Sequence, residues 1–150
     1  MIKNIILLMS FVTIMLGQSS SYKVHNQDSD KLIKIKLSSV DTLDSILEQA
    51  KKQNKLIMIK ATSPHCWYCR KMDKEVFDDI DIQNKLSKDF ILLEINVDQF
   101  EIPYGMDKYY RRVTPSFFVL DGSKKYYSSL PGSWNKEDFT EYINENIGKR

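Results

Sequence analysis

The sequence has little cysteine, glycine, proline or histidine. Only two cysteines occur among 150 residues, with five glycines, four prolines and two histidines. So few glycines and prolines argue against a collagenous or low-complexity chain. Two cysteines cannot build the multi-disulfide framework of a small secreted scaffold. The chain must therefore be stabilised by a hydrophobic core, and its length suits one domain.

An excess of charge of one sign is also lacking. The 22 basic and 20 acidic residues leave a formal net charge of +2, and no dense basic block occurs. A nucleic-acid-binding role is therefore not expected, because such proteins present clustered lysine and arginine to the phosphate backbone. The charge balance does not identify any other partner.

Long apolar runs are absent except near the N-terminus. Lys3 precedes an apolar segment over residues 5–16, and small or polar residues follow it. This three-part layout predicts a secretory signal peptide over residues 1–21, and hence an exported protein of the periplasm or another extracytoplasmic compartment. The alternative is a membrane anchor, but a span needs about 20 apolar residues and this run is shorter.

Beyond the predicted signal peptide, the spacing of the apolar residues is typical of β-strands in some segments and of α-helices in others. Residues 22–31 are polar and predict a flexible lead-in to a single domain over 32–150. Within that domain the pattern predicts strands near 33–37, 56–61, 90–97, 114–120 and 124–128, and helices near 41–54, 66–76, 104–111 and 133–147. A second helical piece, capped by Asp79 or Asp81 and carrying Ile82 and Leu86, is expected between the cysteine-bearing helix and the strand near 90–97. The order β-α-β-α-β-α-β-β-α predicts an α/β fold with a central mixed sheet flanked by helices.

The two cysteines enclose Trp67 and Tyr68 at the junction of a predicted strand and helix. Pro64 prevents the helix from starting much earlier, so Cys66 falls at its N-terminus. Unpaired backbone N–H groups and the helix dipole favour a thiolate there. Cys69 lies one turn further along, within reach of the first sulfur. We predict that Cys66 attacks a disulfide and that Cys69 resolves the mixed disulfide.

Other interpretations of the cysteine pair remain open. A structural disulfide would close too short a loop to stabilise the fold much. A zinc site would need two more ligands, and His25 and His65 are poorly placed, so no metal ligand is assigned. A copper carrier suits thiolates but lacks a distal histidine or methionine motif. A peptide-binding module would leave the cysteines idle. No cofactor is expected beyond the redox-active disulfide itself.

The order of these features resembles the thioredoxin superfamily, exported thioredoxin-like proteins in particular. The resemblance covers about residues 55–147 and rests on the Cys66–Cys69 helix start, Asn96-Val97-Asp98, Thr114-Pro115, Phe117-Phe118-Val119, Asp121-Gly122 and Gly132. It implies a thioredoxin fold and a thiol:disulfide oxidoreductase that acts on protein thiols and disulfides. It also implies that Pro115 is a cis-proline packed against the cysteines and that the Thr114 backbone pairs with an extended substrate. The residues alone do not decide between cis and trans at Pro115.

The same resemblance suggests a direction for the reaction. No additional dimerisation domain is expected, so we predict a monomer rather than a V-shaped isomerase. The chain also lacks room for the large helical insertion of the strong periplasmic oxidase. We therefore favour a reductase fed by a membrane electron donor, with apocytochrome c as an expected substrate by analogy. The alternative is an oxidase that introduces disulfides, because direction depends on the reduction potential.

One residue departs from the thioredoxin pattern. Thioredoxins keep a buried acid six residues before the first cysteine, where this chain has Lys60. Since lysines rarely stay buried, we expect Lys60 to reach sideways to solvent. The alternative is that it stabilises a thiolate, or acts as a base if burial favours its neutral form. Asp73, four residues after Cys69, is the candidate to replace the missing acid.

Three residues beside the cysteines are candidates for binding or tuning. We expect Trp67 and Tyr68 to tune the redox balance and to offer substrates a flat apolar contact, the alternative being that they fill the core. His65 either adds positive charge beside Cys66 when protonated or is passive.

Overall fold

The computed structural model describes residues 31–150, so the predicted signal peptide and all but the last residue of the predicted lead-in lie outside the described residues. Five strands and four α-helices make up this part of the chain. They are β1 (Ile33–Lys36), α1 (Leu43–Gln53), β2 (Leu56–Thr62), α2 (Trp67–Met72), α3 (Ile80–Asp89), β3 (Phe90–Asn96), β4 (Ser116–Leu120), β5 (Tyr126–Pro131) and α4 (Lys136–Gly148). None of the helices between residues 31 and 150 is long and apolar enough to cross a membrane.

The strands form one mixed sheet in the order β1-β3-β2-β4-β5. β1, β3 and β2 are parallel, whereas β4 runs antiparallel to β2 and β5 antiparallel to β4. The predicted α/β fold, with its central mixed sheet flanked by helices, is therefore confirmed. β2 has a neighbour on both sides, which explains why its sequence is apolar almost throughout.

The sheet separates two hydrophobic cores, because alternate side chains of a strand point to opposite faces. Ile57 and Ile59 of β2 contribute to the core that α1 covers. Leu56 and Met58 contribute to the other core, which is covered by α2, α3 and α4. Lys60 continues this second series, so its side chain starts on the face that carries α2.

The predicted short helix over Tyr104–Arg111 is confirmed only in part. The segment contains only a 3-10 turn, Met106–Tyr109, preceded by Gly105 in a left-handed conformation with φ +73°. Ile102 and Met106 are buried, and the Tyr104 hydroxyl donates to the Leu43 carbonyl at 2.6 Å. Single anchoring side chains, rather than an amphipathic stripe, therefore fix this loop to the α1 side of the sheet.

A short stretch of π-helix, Asp73–Phe77, extends α2 at its C-terminal end. Val76 and Phe77 are buried there and join the core beneath α2, α3 and α4. The chain then turns, and Asp79 caps α3 by accepting hydrogen bonds from the N–H groups of Asp81 and Ile82. The predicted second helical piece is therefore confirmed, with Asp79 rather than Asp81 as its cap, and α2 and α3 pack on one face of the sheet.

Candidate active site

Cys66 lies at the N-cap of α2, immediately before the first helical residue. Its backbone is extended, with φ −73° and ψ 101°, and its N–H donates to the Ser63 carbonyl at 3.2 Å. The Cys66 sulfur accepts a hydrogen bond from the Cys69 N–H at 3.0 Å. One of the orphan donors of the helix is thus directed at a sulfur, and such a bond favours a thiolate over a thiol once the disulfide is opened.

Cys66 and Cys69 are joined in a disulfide, with 5.2 Å between their Cα atoms. That separation lies in the usual range for disulfides, so the helix keeps its shape around the bond. Cys66 is 8% exposed and Cys69 only 2% exposed. The more exposed of the two cysteines is therefore the one at the start of the helix.

Trp67 and Tyr68 point away from the core. Each is 58% exposed, and the two rings meet edge to face with 5.1 Å between their centroids. The core-filling alternative is therefore wrong for both side chains, because the first turn of α2 directs them outward. Together they form an apolar surface beside the disulfide. Lys71 lies over the Trp67 ring, with 5.8 Å from its Nζ atom to the centroid.

The start of β4 lies next to the end of β2. In the antiparallel register Ser116 pairs with Ala61, which places the preceding Thr114 and Pro115 beside the segment that leads to Cys66. The Thr114–Pro115 peptide bond is cis. Pro115 is buried and Thr114 is half-buried. The Thr114–Pro115 pair and the cysteines, separate in sequence, thus belong to the same end of the sheet.

A third segment completes this end of the molecule. The Gly132 N–H donates to the Pro115 carbonyl at 2.8 Å, which holds the loop after β5 against the cis-proline. Trp134 follows in this loop, 38% exposed, with its indole N–H donating to the Pro131 carbonyl at 3.0 Å. Sequence reasoning missed Trp134. The available signal was an aromatic residue in a polar loop between a Pro-Gly break and a helix.

The expectation that Lys60 reaches solvent is wrong. The side chain is fully buried, and its ammonium group forms ion pairs with the Asp73 and Glu94 carboxylates, the latter at 3.2 Å. It also lies over the Phe77 ring, 5.0 Å from the centroid. Burial is tolerated because two counter-charges and an aromatic face replace the water that the ammonium loses.

Glu94 was also missed by the sequence analysis. It is the register partner of Lys60 on the neighbouring strand β3. Lys34 and Lys36 of β1 approach the same carboxylate at 3.4 and 3.6 Å. Burial opposes ionisation of Glu94, but the surrounding ammonium groups, Lys60 first, outweigh it and lower its pKa below the usual value. The available signal was a single acidic residue within an otherwise apolar strand.

His65 is exposed directly before Cys66. Its two proposed roles, supplying positive charge and being passive, both stay predictions. Within residues 31–150 no group of three or more histidine, cysteine or acidic side chains is arranged to hold a metal ion.

The chain is similar to a known protein family in sequence and to several solved proteins in structure. A family described as "Thioredoxin-like domain" matches residues 43–147. A thioredoxin from Thermus thermophilus is similar in structure, with a TM-score of 0.63 and 22% identity over 77% of this chain and 86% of that chain. A thioredoxin h from poplar has a TM-score of 0.60 and 20% identity over 77% and 96% of the two chains.

A further similar structure is the C-terminal domain of DsbD from Neisseria meningitidis in its oxidised form. It has a TM-score of 0.59 and 16% identity over 75% of this chain and 99% of that chain. No curated protein matches the chain in sequence.

Proposed function

We propose, since the chain belongs to the thioredoxin-like family, that it is an enzyme exchanging thiols and disulfides with protein substrates. The observation that carries this proposal is the Cys66–Cys69 disulfide at the start of α2, with the more exposed cysteine at the N-cap. A disulfide that closes so short a loop contributes little to holding the chain together, which favours a chemical role.

The reaction follows from the two sulfurs. In the dithiol form, the Cys66 thiolate attacks one sulfur of a substrate disulfide; a Cys66–substrate bond forms, and the substrate bond breaks to release a thiolate. Cys69, once deprotonated, then attacks the Cys66 sulfur and expels the second substrate thiolate. The substrate gains two electrons and two protons overall, and the protein is left in its disulfide form.

Substrates would bind on the surface around the cysteines. Trp67 and Tyr68 offer exposed apolar rings next to Cys66. Thr114 and Pro115 lie at the same end of the sheet, and a backbone that is free to pair there would hold an extended segment with its disulfide over Cys66. Recognition through backbone and apolar contacts would accept many unfolded sequences, and apocytochrome c is our proposed example.

We further propose that the protein works as a reductase outside the cytoplasm, as a monomer, and that a membrane-bound dithiol donor returns it to the dithiol form. The predicted signal peptide supports export. The direct succession of α2 and α3 between β2 and β3 supports reduction over oxidation, since the described chain has no inserted helical domain. The donor supplies the two electrons that each cycle consumes.

A trapping experiment tests the exchange activity. Cys69→Ala should accumulate mixed disulfides through Cys66, and mass spectrometry of the adducts would identify the partners. Cys66→Ser is the matched control and should trap nothing, because it lacks the attacking sulfur. If both variants trap equally, or if the wild-type protein fails to reduce a protein disulfide with a dithiol donor present, the proposal is wrong.

The reduction potential tests the direction. A reductase should have a potential well below that of a strong oxidant. A value near −120 mV, typical of strong disulfide oxidants, would instead support the oxidase alternative. Mass spectrometry of the exported protein would test the predicted cleavage of residues 1–21.

A further inference from the structure

Lys60, Asp73 and Glu94 form a charge cluster around a buried ammonium group, and none of the three takes part in the two sulfur exchange steps. Lys60 is fully buried on the central strand β2, and both carboxylates contact its ammonium group. The side chain of Asp73 is 38% exposed and that of Glu94 13%. Burying an ammonium is costly even when it is paired, so its place beneath the cysteine-bearing helix calls for an explanation.

The cluster is joined to Cys69 through the backbone of α2. Asp73 follows Cys69 by four residues, and its N–H donates to the Cys69 carbonyl. Side chains at this spacing lie on the same helix face, with about 5–6 Å between their Cβ atoms. Cys69 and Met72 are buried on that face, which lies against the side of the sheet from which Lys60 projects. Asp73, whose carboxylate holds the ammonium, is therefore one helical turn from the resolving cysteine.

We propose that Lys60 is a positioning residue for the exchange reaction. Its buried ammonium stabilises the Cys69 thiolate that resolves the mixed disulfide. Asp73 and Glu94 hold the ammonium in place and partly neutralise its charge. This inference rests on the proposed thiol–disulfide exchange. Cys69 is 2% exposed, so bulk water cannot supply the stabilisation that a thiolate there requires. A fixed positive charge can supply it in the poorly screened interior.

The surrounding charges determine the sign of the effect. Asp73 and Glu94 carry two negative charges against the single positive charge of Lys60, and Lys34 and Lys36 face Glu94 from β1. Removing the Lys60 charge leaves both carboxylates to oppose a thiolate. Removing a carboxylate leaves the ammonium less compensated, which favours the thiolate. Substitutions within one cluster are therefore expected to act in opposite directions.

The test uses Cys66→Ser, in which Cys69 is the sole thiol because the sequence has only two cysteines. In this background, the ultraviolet absorbance of the thiolate is followed against pH for three further substitutions. Lys60→Met should raise the midpoint of the Cys69 titration by about one pH unit, and Asp73→Asn should lower it by a comparable amount. Lys74→Met, the loss of an exposed lysine beside Asp73, is the matched control and should leave the midpoint unchanged.

A merely structural role would give a different pattern. Both Lys60→Met and Asp73→Asn would then lower the thermal stability while leaving the midpoint unmoved or shifting it in the same direction. Either pattern overturns the inference. If Lys60→Met does not fold, Asp73→Asn and Glu94→Gln decide the matter, because both must lower the midpoint. Lys60→Arg keeps the charge and should restore a midpoint near that of the parent.

A kinetic measurement links the titration to exchange. With both cysteines present, Lys60→Met should slow resolution of a Cys66–glutathione mixed disulfide about threefold at neutral pH, since a smaller thiolate fraction is partly offset by higher nucleophilicity. The parent protein is assayed in parallel. A parent that resolves the mixed disulfide with no change in Lys60→Met overturns only the role of Lys60. A parent that fails to resolve it overturns the proposed function itself.

Discussion

Cys66 differs from a free cysteine in its hydrogen bonding, because its sulfur accepts a bond from the backbone N–H of Cys69. The bond is strongest when the sulfur is ionised, so the position favours the reactive form. His65, Trp67 and Tyr68 around it are all exposed, so the neighbours of Cys66 in sequence are available for contact with a substrate. The chemistry of the site therefore depends on a backbone group that no side-chain substitution removes.

The first prediction concerns the reactivity of Cys66. In Cys69→Ser, where Cys66 is the sole thiol and the backbone donor is retained, alkylation should reach half its maximal rate below about pH 8.5, the value for free cysteine. The measurement is the rate of reaction with iodoacetamide across a pH series, with a cysteine-containing peptide as control. A profile that coincides with that of the peptide would contradict the prediction.

The second prediction concerns Glu94 and acid. Its pKa is lower in the folded protein than in the unfolded chain, so the unfolded state binds more protons as the pH falls through about 4. Its contribution to stability is therefore present above that pH and is lost below it. Glu94→Gln should cost about 2 kcal/mol of unfolding free energy at pH 7, since Lys60 keeps only one carboxylate.

Urea unfolding at pH 7 and pH 3 tests this linkage. The gap between the wild-type protein and Glu94→Gln should be smaller at pH 3 than at pH 7, because the stabilisation that ionised Glu94 provides is lost progressively as the pH falls, whereas glutamine does not titrate. A gap that stays constant between the two pH values would contradict the assignment.

At the scale of secondary-structure elements, the turn between β4 and β5 packs closely against α1. A Cβ atom added at Gly122 would lie 2.9 Å from the backbone nitrogen of Lys51 and 3.0 Å from the carbonyl oxygen of Leu47. Backbone atoms within a helix cannot move aside as a flexible side chain can. The glycine thus permits the hairpin to lie against the helix, and this contact helps to hold α1 on its face of the sheet.

The third prediction is that Gly122→Ala destabilises the protein by about 1–3 kcal/mol, because the hairpin and α1 must separate to admit the methyl group. Gly148→Ala is the matched control, since no atom lies within 4 Å of a Cβ at that position. It should be neutral or slightly stabilising in the last turn of α4. Thermal unfolding of both variants tests the contrast, and equal losses would show that packing is not the cause.

The helix boundaries could be predicted where they depend on residues that are close together in the sequence. Asn54 ends α1 in a left-handed conformation, and Asp79 and Asn135 cap α3 and α4, so these boundaries follow from the sequence. β5 starts two residues later than predicted, at Tyr126. The reason is that the Asp121 carboxylate accepts hydrogen bonds from the N–H groups at positions 123 and 125, which keeps that stretch in the turn.

The cluster of Lys60, Asp73 and Glu94 could not be predicted from the sequence, because its members lie far apart in the chain. Lys60 is 13 residues from Asp73 and 34 from Glu94. The parallel register of β2 with β3 places Glu94 beside Lys60, whereas the helical segment that follows α2 brings Asp73 to it. The general preference of lysine for solvent predicts exposure for an average lysine. Lys60 is buried instead, because partners distant in sequence pair with its ammonium group. The cysteine motif and the residues around it were predictable because they are contiguous in sequence.

At the scale of the whole molecule, stability comes from the two cores on either side of the sheet, which together bury residues from all four helices. The Cys66–Cys69 bond closes a loop of only four residues. By loop-closure entropy such a bond stabilises a fold by about 2 kcal/mol, less than longer bridges do. The cores, rather than the disulfide, should therefore keep the chain folded.

The fourth prediction is that the reduced protein stays folded. Reduction should lower the melting temperature by several degrees while the transition remains cooperative, because both cores persist. Near-ultraviolet circular dichroism of the oxidised and reduced forms tests this, and the Cys66→Ser variant should behave like the reduced form. Loss of the near-ultraviolet signal on reduction would instead assign the bond a structural role.

The Arg150 side chain forms hydrogen bonds at the end of the sheet opposite the cysteines. Its guanidinium donates to the Asn54 carbonyl at 2.9 Å and to the Asp89 carboxylate at 3.1 Å, just before β2 and β3 begin. The seven residues of β2 separate that end from the cysteines by about 20 Å. An affinity tag or a surface linker attached after Arg150 would therefore leave the disulfide facing solution, so immobilised protein could capture its partners from a flowing extract.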